Sequence, residues 1–457
     1  MTATYDVRVW SIATYQGQRG TAYIVRWKVG DRARKERFKT RALADSFRSE
    51  LISATRRGEA FSVETGHPIS ASRPSRDLGW YEFACDYVDM KWAPAAATYR
   101  RSISEALTAI TVGLLDGDRG RPDAALIRRS LHRWAFNTSR RDTADCPAEV
   151  REALGWVRRH SGTVARLAEP AVLRRVLTEI STKLDGTPGA ASVVSKRRRV
   201  LSNIAEYAVE RGCLDVNPLP AFKWKAPKAA SGIDRRSVVN PVQARTLLNA
   251  VRETKRSGPR LVAFFGLMYF SGMRPEEAAN VRKHNLSIPD SGWGEIHLEE
   301  ATPYAGPDWT NDGRQRDRRQ LKNRARGESR VVPCPPELTE MLQQHIAEFG
   351  TGADGRLFVG ERSTDLPKLT YMRAWRAARR QAFTPETAAT PLGATPYTLR
   401  HACVSTWLNG GVPATQVAEW AGHSVEVLLK VYAKCLDGQD TTARRRVMQA
   451  LGHRDDG

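Results

Sequence analysis

Two proline-rich stretches interrupt the chain, and they limit what it can fold into. Residues 67–76 read HPISASRPSR, and residues 218–232 read PLPAFKWKAPKAASG. Such clusters are typical of linkers, because they break both helix and strand patterns. The chain has 457 residues, which exceeds the size at which one hydrophobic core stops growing. We therefore predict three domains, over residues 1–65, 77–225 and 236–457.

The first segment has the alternating pattern of a strand. Between residues 22 and 29, one face carries Tyr23, Val25, Trp27 and Val29. The opposite face is basic, with Arg26 and Lys28. A further strand is predicted over residues 34–39, and Thr40 is expected to cap a helix whose apolar face carries Leu43, Phe47 and Leu51. We interpret this strand-rich module as an accessory DNA-binding arm rather than a merely solvated basic sheet.

Residues 77–225 have the apolar spacing of helices. Segments 80–91, 95–115, 124–138 and 195–211 repeat apolar residues every three or four positions. The last of them starts with the basic run Lys196, Arg197, Arg198 and Arg199, which is unfavourable at the positive end of a helix dipole. A solvated helix end and a contact with phosphate explain this run equally well. We predict an all-α domain and count Lys196, Arg197 and Arg198 among the candidate DNA contacts.

The third segment mixes helices and strands. Asn240 and Pro241 are expected to open a helix, and the run LVAFFGLMYFSGM over 261–273 is predicted to be a buried helix. Strands are predicted over 294–298 and 328–333, around a basic insertion at 311–326. Helices are predicted over 398–408, 414–421 and 425–434. The fold class is therefore multidomain α+β.

The charge of the chain indicates its class of partner. There are 72 Lys and Arg against 50 Asp and Glu, which gives a formal net charge of +22. Such an excess predicts a polyanion, most commonly nucleic acid. No run approaches the roughly 20 apolar residues of a membrane span. The N-terminus MTATYDVRVW lacks a signal-peptide core. The six cysteines have no metal-ligand spacing, so we expect a cytoplasmic protein without a disulfide framework or a metal.

Four polar residues of the third segment interrupt apolar surroundings. They are Arg274 in SGMRPEEAA, Arg400 in YTLRHACVSTWL, His423 in EWAGHSVEV and Tyr432 in LLKVYAKCL. Each alone has an ordinary structural explanation, such as an ion pair between Arg274 and Glu277 three residues later. The histidine suits a helix cap, and the tyrosine suits a core position. The order and spacing of all four are the informative signal.

The set resembles the tyrosine recombinase (phage integrase) family. SGMRPEEAANV resembles the family's first arginine box, with Glu277 at its acidic position. The segment from YTLRHACVSTWL to VYAKCL resembles the second box through to the nucleophile. The resemblance covers about residues 240–440 well and the helical segment before them loosely. It extends to the integrases of actinobacterial phages and integrative elements.

The resemblance implies roles that suit the chemistry. Tyr432 would attack the scissile phosphate and form a 3′-phosphotyrosine bond, while Arg274, Arg400 and His423 would stabilise the developing negative charge. Forked guanidinium groups suit phosphoryl oxygens, and they favour the phenolate of a residue whose ordinary pKa is about 10. The covalent bond conserves the energy of the phosphodiester. No metal, nucleotide or other cofactor is therefore expected.

The remaining site positions follow the family pattern less closely. The family uses a lysine on a strand turn as general acid, and Lys322 is the lysine in that stretch. Arg324 or Arg326 would suit the usual spacing better, but arginine is a poor proton donor. Tyr397 stands where the family usually has histidine, and its phenol can still donate to a phosphate oxygen. For His401 we favour a packing or supporting role over phosphate contact.

The sequence thus predicts a site-specific DNA recombinase with an arm module, a helical core-binding domain and a mixed, mainly α catalytic domain. The resemblance implies duplex DNA with core and arm attachment sites, a homotetramer on DNA, an excision factor and a bacterial host cytoplasm. Two alternatives stay open. A type IB topoisomerase-like relaxing enzyme would share the catalytic set but need no second site. A DNA-binding protein with an inactive catalytic set would form no covalent adduct.

Overall fold

The computed structural model describes residues 3–17, 20–69, 78–227, 232–321, 327–360 and 365–432, with residues 444, 447, 448, 450 and 451. These residues form two compact units. The first comprises the described residues up to 227 apart from 96–98. The second comprises residues 96–98 and the described residues from 232 onward. Helices and strands both occur, so the mixed fold class is confirmed at that coarse level.

The first unit begins with an antiparallel sheet. The strands of this region are β1 (Ala3–Thr4), β2 (Val7–Val9), β3 (Ala13–Gly17), β4 (Gly20–Val29), β5 (Arg32–Phe38) and β6 (Phe61–Ser62), and the sheet consists of β2 to β5. Strand β4 is central, because β2 and β3 pair with its two halves along one edge and β5 pairs along the other. Strands β1 and β6 form a separate ladder. The sheet therefore has more strands than the sequence predicted.

The alternation predicted in β4 is present. Val25, Trp27 and Val29 are buried in a cluster with the helix α1 (Arg41–Arg56). On the opposite face Arg26 is exposed, and Lys28 is partly exposed and forms a 3.6 Å ion pair with Asp31. The basic face of this sheet is thus accessible, as the sequence indicates.

The cap of α1 is as predicted, but its buried face is not. The Thr40 hydroxyl accepts a hydrogen bond from the Leu43 amide at 3.4 Å. Leu43 itself is 56% exposed, whereas Ala44, Leu51 and Ala54 are buried. A stripe through positions 44, 51 and 54 fits the helical period, and Leu43 lies about 100° from Ala44 around the axis. The prediction that Leu43 faces the core was therefore wrong.

The helical part of the first unit has its own core. Its helices are α2 (Trp80–Trp92), α3 (Ala97–Leu114), α4 (Ala124–Ser130), α5 (Ala148–His160), α6 (Pro170–Ser181) and α7 (Ala191–Glu210). Their apolar faces meet in one contiguous cluster. At Gly113 a Cβ would lie 2.8 Å from the Val176 backbone, so glycine allows α3 and α6 to touch.

Helix α7 begins four residues earlier than predicted. The basic run therefore lies in its second turn, where the unfavourable dipole effect has decayed. Lys196 is exposed. Arg197 donates a hydrogen bond to the Ile180 carbonyl at 3.2 Å, and the Arg198 guanidinium lies 5.6 Å from the centre of the Trp224 ring. Two of the three candidate DNA contacts on this helix thus also serve packing.

The prediction of a linker over residues 218–232 is partly wrong. Leu219 is buried, and Phe222 and Trp224 pack against the helical core. These three apolar side chains tie residues 218–224 to the helical domain, although prolines surround them. Residues 228–231 of that stretch, and 70–76 of the first one, lie outside the described residues.

The second unit is built around one apolar helix. Its helices are α8 (Pro241–Glu253), α9 (Gly258–Phe270), α10 (Pro275–Ala278), α11 (Pro336–Phe349), α12 (Lys368–Ala382), α13 (Pro385–Ala389), α14 (Tyr397–Asn409), α15 (Ala414–Ala421) and α16 (Val425–Tyr432). Helix α9 packs against α8, α11 and α14, which explains its uninterrupted apolar sequence. The Asn240 side chain accepts from the Gln243 amide and caps α8 as predicted.

The strands of the second unit are short. They are β7 (Leu286–Ser287), β8 (Gly294–Leu298), β9 (Glu300–Ala301), β10 (Arg319–Gln320) and β11 (Arg330–Cys334). Strand β8 lies between β11 and β7, and β10 pairs with β9. Strand β11 starts two residues later than predicted. Among the described residues, no helix has the length and apolarity needed to span a bilayer.

Candidate active site

The first predicted arginine is held at the turn after α9. Gly272 reverses the chain with φ +57°, and a Cβ there would lie 3.2 Å from the Trp407 ring. Arg274 then precedes α10, and its amide and Nη1 donate to the two carboxylate oxygens of Glu277, at 2.8 and 2.7 Å. Its Nη2 donates to the Gly422 carbonyl at 2.9 Å. The ion pair expected from sequence is thus present, and it fixes the guanidinium.

A second arginine holds the same carboxylate, and the sequence reasoning missed it. Arg330 in β11 donates from Nη2 to Glu277 at 2.7 Å, and its side chain is 1% exposed. A signal was available, because Arg330 shares the inward face of β11 with Val332 and Cys334, while Val331 points outward. A charged residue on a buried strand face requires a partner.

The charge of Glu277 follows from these neighbours. Burial alone would raise the pKa of this carboxyl, but Arg330, Arg274 and Arg400 outweigh it and lower the pKa to about 2. Glu277 is therefore ionised at neutral pH although it is 1% exposed. Its role in the site is to hold cations in place.

The second predicted arginine lies at the centre of the site. Arg400 in α14 is fully buried. It donates from Nη1 to the Gly272 carbonyl and from Nη2 to the Ala421 carbonyl and to His423 Nε2, the last at 2.8 Å. Burial, reinforced by Arg274, lowers the pKa of Arg400. Arginine nevertheless stays cationic in proteins.

His423 stands directly after a left-handed glycine that ends α15. Gly422 has φ +62°, and a Cβ there would lie 2.1 Å from Arg330 Nη1. Burial, with Arg400 next, lowers the pKa of His423 to about 3, so the ring is neutral. Because Arg400 donates to Nε2, the proton of the neutral ring is on Nδ1.

Buried donors in this site lack hydrogen-bond partners among the described residues. They are Arg400 Nε, Arg330 Nε and Nη1, and His423 Nδ1. Such groups cost free energy unless a ligand satisfies them. Together they make an electropositive site suited to an anion with several acceptor oxygens.

Tyr432 closes the site from α16. Its ring is fully buried, in a cluster with Val404, Val417 and Leu428. Its hydroxyl forms a 2.9 Å hydrogen bond with His401 Nδ1. The centres of the Tyr432 and His423 rings are 6.1 Å apart. The predicted nucleophile therefore lies beside imidazoles, but it is enclosed.

The two secondary candidates lie one turn apart on α14. The rings of Tyr397 and His401 are in edge contact, with centres 5.0 Å apart. Tyr397 is half-buried and lines an open pocket with Arg274 and Arg319. His401 touches Tyr432 directly, a closer involvement than the packing role favoured from sequence.

The remaining candidates lie elsewhere. Lys322, with Arg324 and Arg326, falls outside the described residues. Arg319 and Gln320, three and two positions before Lys322, line the same pocket as Arg274. The arm and helix cations belong to the first unit. No group of three or more His, Cys, Asp or Glu within the described ranges could hold a metal ion.

Residues 237–438 match the model of the phage integrase family. This stretch contains Arg274, Arg400, His423 and Tyr432, and it is similar to the tyrosine recombinases of that family. The integrase is therefore a tyrosine-type site-specific DNA recombinase. No curated protein sequence matches it.

The integrase also matches solved structures of recombinases bound to DNA. One is the Tn1549 transposon integrase with a circular intermediate DNA, at 14% identity and a TM-score of 0.49, covering 67% of this chain and 95% of that one. Another is a lambda integrase dimer bound to a COC′ core site, at 13% identity and a TM-score of 0.46, covering 95% of this chain and 94% of that one. A third is the XerH recombinase bound to its difH substrate, at 12% identity and a TM-score of 0.44, covering 77% of this chain and 96% of that one.

Proposed function

We propose that the integrase inserts and excises a phage or integrative element by cutting and rejoining DNA through Tyr432. One observation carries this proposal. Arg274, Arg400, His423 and Tyr432 come from separate elements, yet hydrogen bonds and ring contacts join them around one buried electropositive site. A site that served packing alone would have no use for several buried donors without partners.

The roles of these residues follow from the reaction. Tyr432 Oη attacks the phosphorus, the bond from phosphorus to the 5′ oxygen breaks, and a 3′-phosphotyrosine forms. Arg274 and Arg400 bind the non-bridging oxygens, where charge accumulates. His423, neutral with its proton on Nδ1, donates a hydrogen bond rather than a charge. A 5′ hydroxyl from the partner duplex reverses the step.

The leaving 5′ oxygen needs a proton, and we assign it to Lys322. The position of Arg319 and Gln320 in the pocket beside Arg274 supports this assignment, because they precede Lys322 by only three and two positions. Tyr397 lines the same pocket and is suited to donate a further hydrogen bond to the phosphate.

An arginine row on α12 supports duplex DNA as the partner. Arg373, Arg376 and Arg380 are all exposed, and their spacing places them on one helix face. Arg379 points elsewhere, because its guanidinium donates to the Leu392 and Thr390 carbonyls. We propose that the α12 arginine row contacts DNA phosphates.

The same proposal gives the other parts of the chain their roles. Residues 1–65 bind arm sites through Arg26 and Lys28. Residues 77–225 bind the core site, with Lys196, Arg197 and Arg198 as contacts. Residues 236–457 carry the catalysis. Four protomers act together on two duplexes in the host cytoplasm, and an excision factor sets the direction.

A nicked suicide duplex that carries the element's own junction tests the central claim. We expect wild-type protein to become covalently attached to the strand, and Tyr432→Phe to bind the duplex without attachment. Tyr397→Phe, the matched control, should still form the adduct. If Tyr432→Phe still forms an adduct, and the adduct disappears when Tyr397 is also replaced, then Tyr397 is the nucleophile. Relaxation of supercoiled DNA with no recombination between two sites would favour the topoisomerase-like alternative.

A further inference from the structure

The contact between His401 and Tyr432 has a use that the roles above leave unassigned. A tyrosine hydroxyl must lose its proton as it attacks phosphorus, because its ordinary pKa is about 10. His401 Nδ1 lies 2.9 Å from Tyr432 Oη, which is within reach for proton transfer. The two residues are 31 positions apart on α14 and α16, so tertiary packing holds them together.

Two other titratable groups of the site, His423 and Glu277, already use their acceptor atoms in hydrogen bonds to arginine. His423 accepts from Arg400 at Nε2 and carries its proton on Nδ1, so it has no lone pair for Tyr432. Both oxygens of Glu277 accept bonds from Arg274, and one of them also accepts from Arg330. Neither residue can accept the proton without breaking an existing contact.

We infer that His401 is the general base that accepts the proton of Tyr432. The inference rests on Tyr432 being the nucleophile. As the bond between Oη and phosphorus forms, the Tyr432 O–H bond breaks and its proton moves to His401 Nδ1. The bond to the 5′ oxygen breaks at the same time, and that oxygen takes a separate proton from the general acid. When a 5′ hydroxyl reverses the step, Tyr432 leaves and recovers its proton from His401.

The surroundings of His401 are compatible with this role. Burial, together with Arg400, lowers the pKa of His401 to about 4, so its lone pair is available at neutral pH. The groups that face it are Arg400 and Tyr397 on its own helix and Tyr432 on α16. A bound phosphate would offset the charge of Arg400 and so favour the protonated ring during the reaction.

The test is the pH dependence of covalent adduct formation on the nicked duplex, in a single turnover. His401→Asn is the main variant, because an amide can hydrogen-bond to Tyr432 but cannot take its proton. At pH 7 we expect adduct formation to slow by roughly 10²–10⁴-fold. The defect should shrink by about tenfold per pH unit up to pH 9, as solvent deprotonates the phenol instead.

Two controls separate this role from a structural one. His345→Asn removes another buried imidazole of the same unit, one that bonds to the Leu357 carbonyl, and its rate should keep the wild-type pH dependence. A duplex with sulfur in place of the bridging 5′ oxygen has a better leaving group. On this duplex, the rate of adduct formation should recover in Lys322→Ala but not in His401→Asn.

The outcomes are distinguishable. If folded, DNA-binding His401→Asn forms adduct at the wild-type rate at pH 7, or shows a defect that does not change with pH, the inference is wrong while Tyr432 remains the nucleophile. Relief by the sulfur-bridged duplex would also overturn it, because His401 would then act on the leaving group. If the wild type forms no adduct, the proposed function itself fails.

Discussion

At the scale of single residues, the site depends on one carboxylate that binds two guanidinium groups. Glu277 accepts bonds from Arg274 and Arg330, and these come from segments 56 positions apart (274 to 330). Removing one partner of a buried ion pair leaves the other charge uncompensated, which costs roughly 3–5 kcal/mol. Arg330 therefore positions Arg274 through Glu277, although it is not one of the residues that the sequence suggested.

Arg330→Gln should make the protein sensitive to milder acid. The lowered pKa of Glu277 stabilises the fold above its ordinary value of 4.5, and this stabilisation is lost as the pH falls toward about 2. Without Arg330, the strongest of its cations, the pKa of Glu277 rises, so the loss begins at higher pH. The urea midpoint between pH 7 and pH 3 measures this.

Arg316→Gln is the matched control for that experiment. Arg316 is also buried, but its guanidinium donates to the Thr302 and Leu366 carbonyls rather than to a carboxylate. We expect it to lower the urea midpoint without moving the pH at which stability falls. Equal acid sensitivity in both variants would contradict the role given to Glu277.

At the scale of elements, the end of α15 is the most demanding turn in the site. Gly422 combines a left-handed backbone with close contact to Arg330, while its carbonyl accepts from Arg274. A side chain here would therefore disturb both arginines and His423, the next residue. The turn sets the geometry of three cation or imidazole groups at once.

Gly422→Ala should impair both stability and catalysis. The left-handed backbone alone costs about 1–2 kcal/mol for a residue with a Cβ, and the clash with Arg330 adds to it. Gly313→Ala shares the left-handed strain, at φ +69°, but has nothing within 4 Å of the added Cβ. We expect adduct formation to fall for Gly422→Ala only. Equal rates in the two variants would show that the contact with Arg330 is unimportant.

Elements with strong local patterns were predictable, and contacts between distant elements were not. Helix α15 has the predicted bounds, and the apolar run in α9 indicated its burial. Leu43 was misplaced because a helical period fixes the spacing of a face but not which face meets the sheet. The burial of Arg330 could be read from strand alternation, but its partner could not. The bond between His401 and Tyr432 likewise depends on how two helices pack.

At the scale of the whole molecule, charge and modular organisation govern the interaction with DNA. The net charge of +22 favours binding to any duplex, and each phosphate contact makes the affinity more salt-dependent. The α12 arginine row is expected to contribute phosphate contacts, whereas residues 1–65 are expected to bind a second site on the DNA.

Replacing the α12 arginine row should reduce the salt dependence of DNA binding. The triple variant Arg373→Gln, Arg376→Gln and Arg380→Gln should make the slope of log affinity against log salt shallower by about 3, from roughly 0.9 per lost phosphate contact. Arg379→Gln on the same helix should leave the slope unchanged, since Arg379 bonds to backbone carbonyls. An unaltered slope in the triple variant would place the DNA elsewhere.

Deleting residues 1–65 should separate cleavage from integration. Loss of one of two linked binding modules reduces the affinity for a composite site by roughly 10²-fold or more, so integrative recombination should fail while core-site cleavage continues. Arg26→Gln with Lys28→Gln should reproduce part of the defect. Arg57→Gln should not, because Arg57 is paired with Glu59 at 2.8 Å. Normal recombination of full-length sites by the truncated protein would refute the arm assignment.

The carboxylate shared by Arg274 and Arg330 also constrains how this sequence can evolve. Neutralising Glu277 would leave two buried guanidinium groups that repel each other. Losing either arginine would leave the carboxylate without one of its two hydrogen-bonded cations. Drift at one of these three positions is therefore tolerable only when another changes with it. Any descendant lineage that keeps the activity should inherit the trio intact or replace it as a unit.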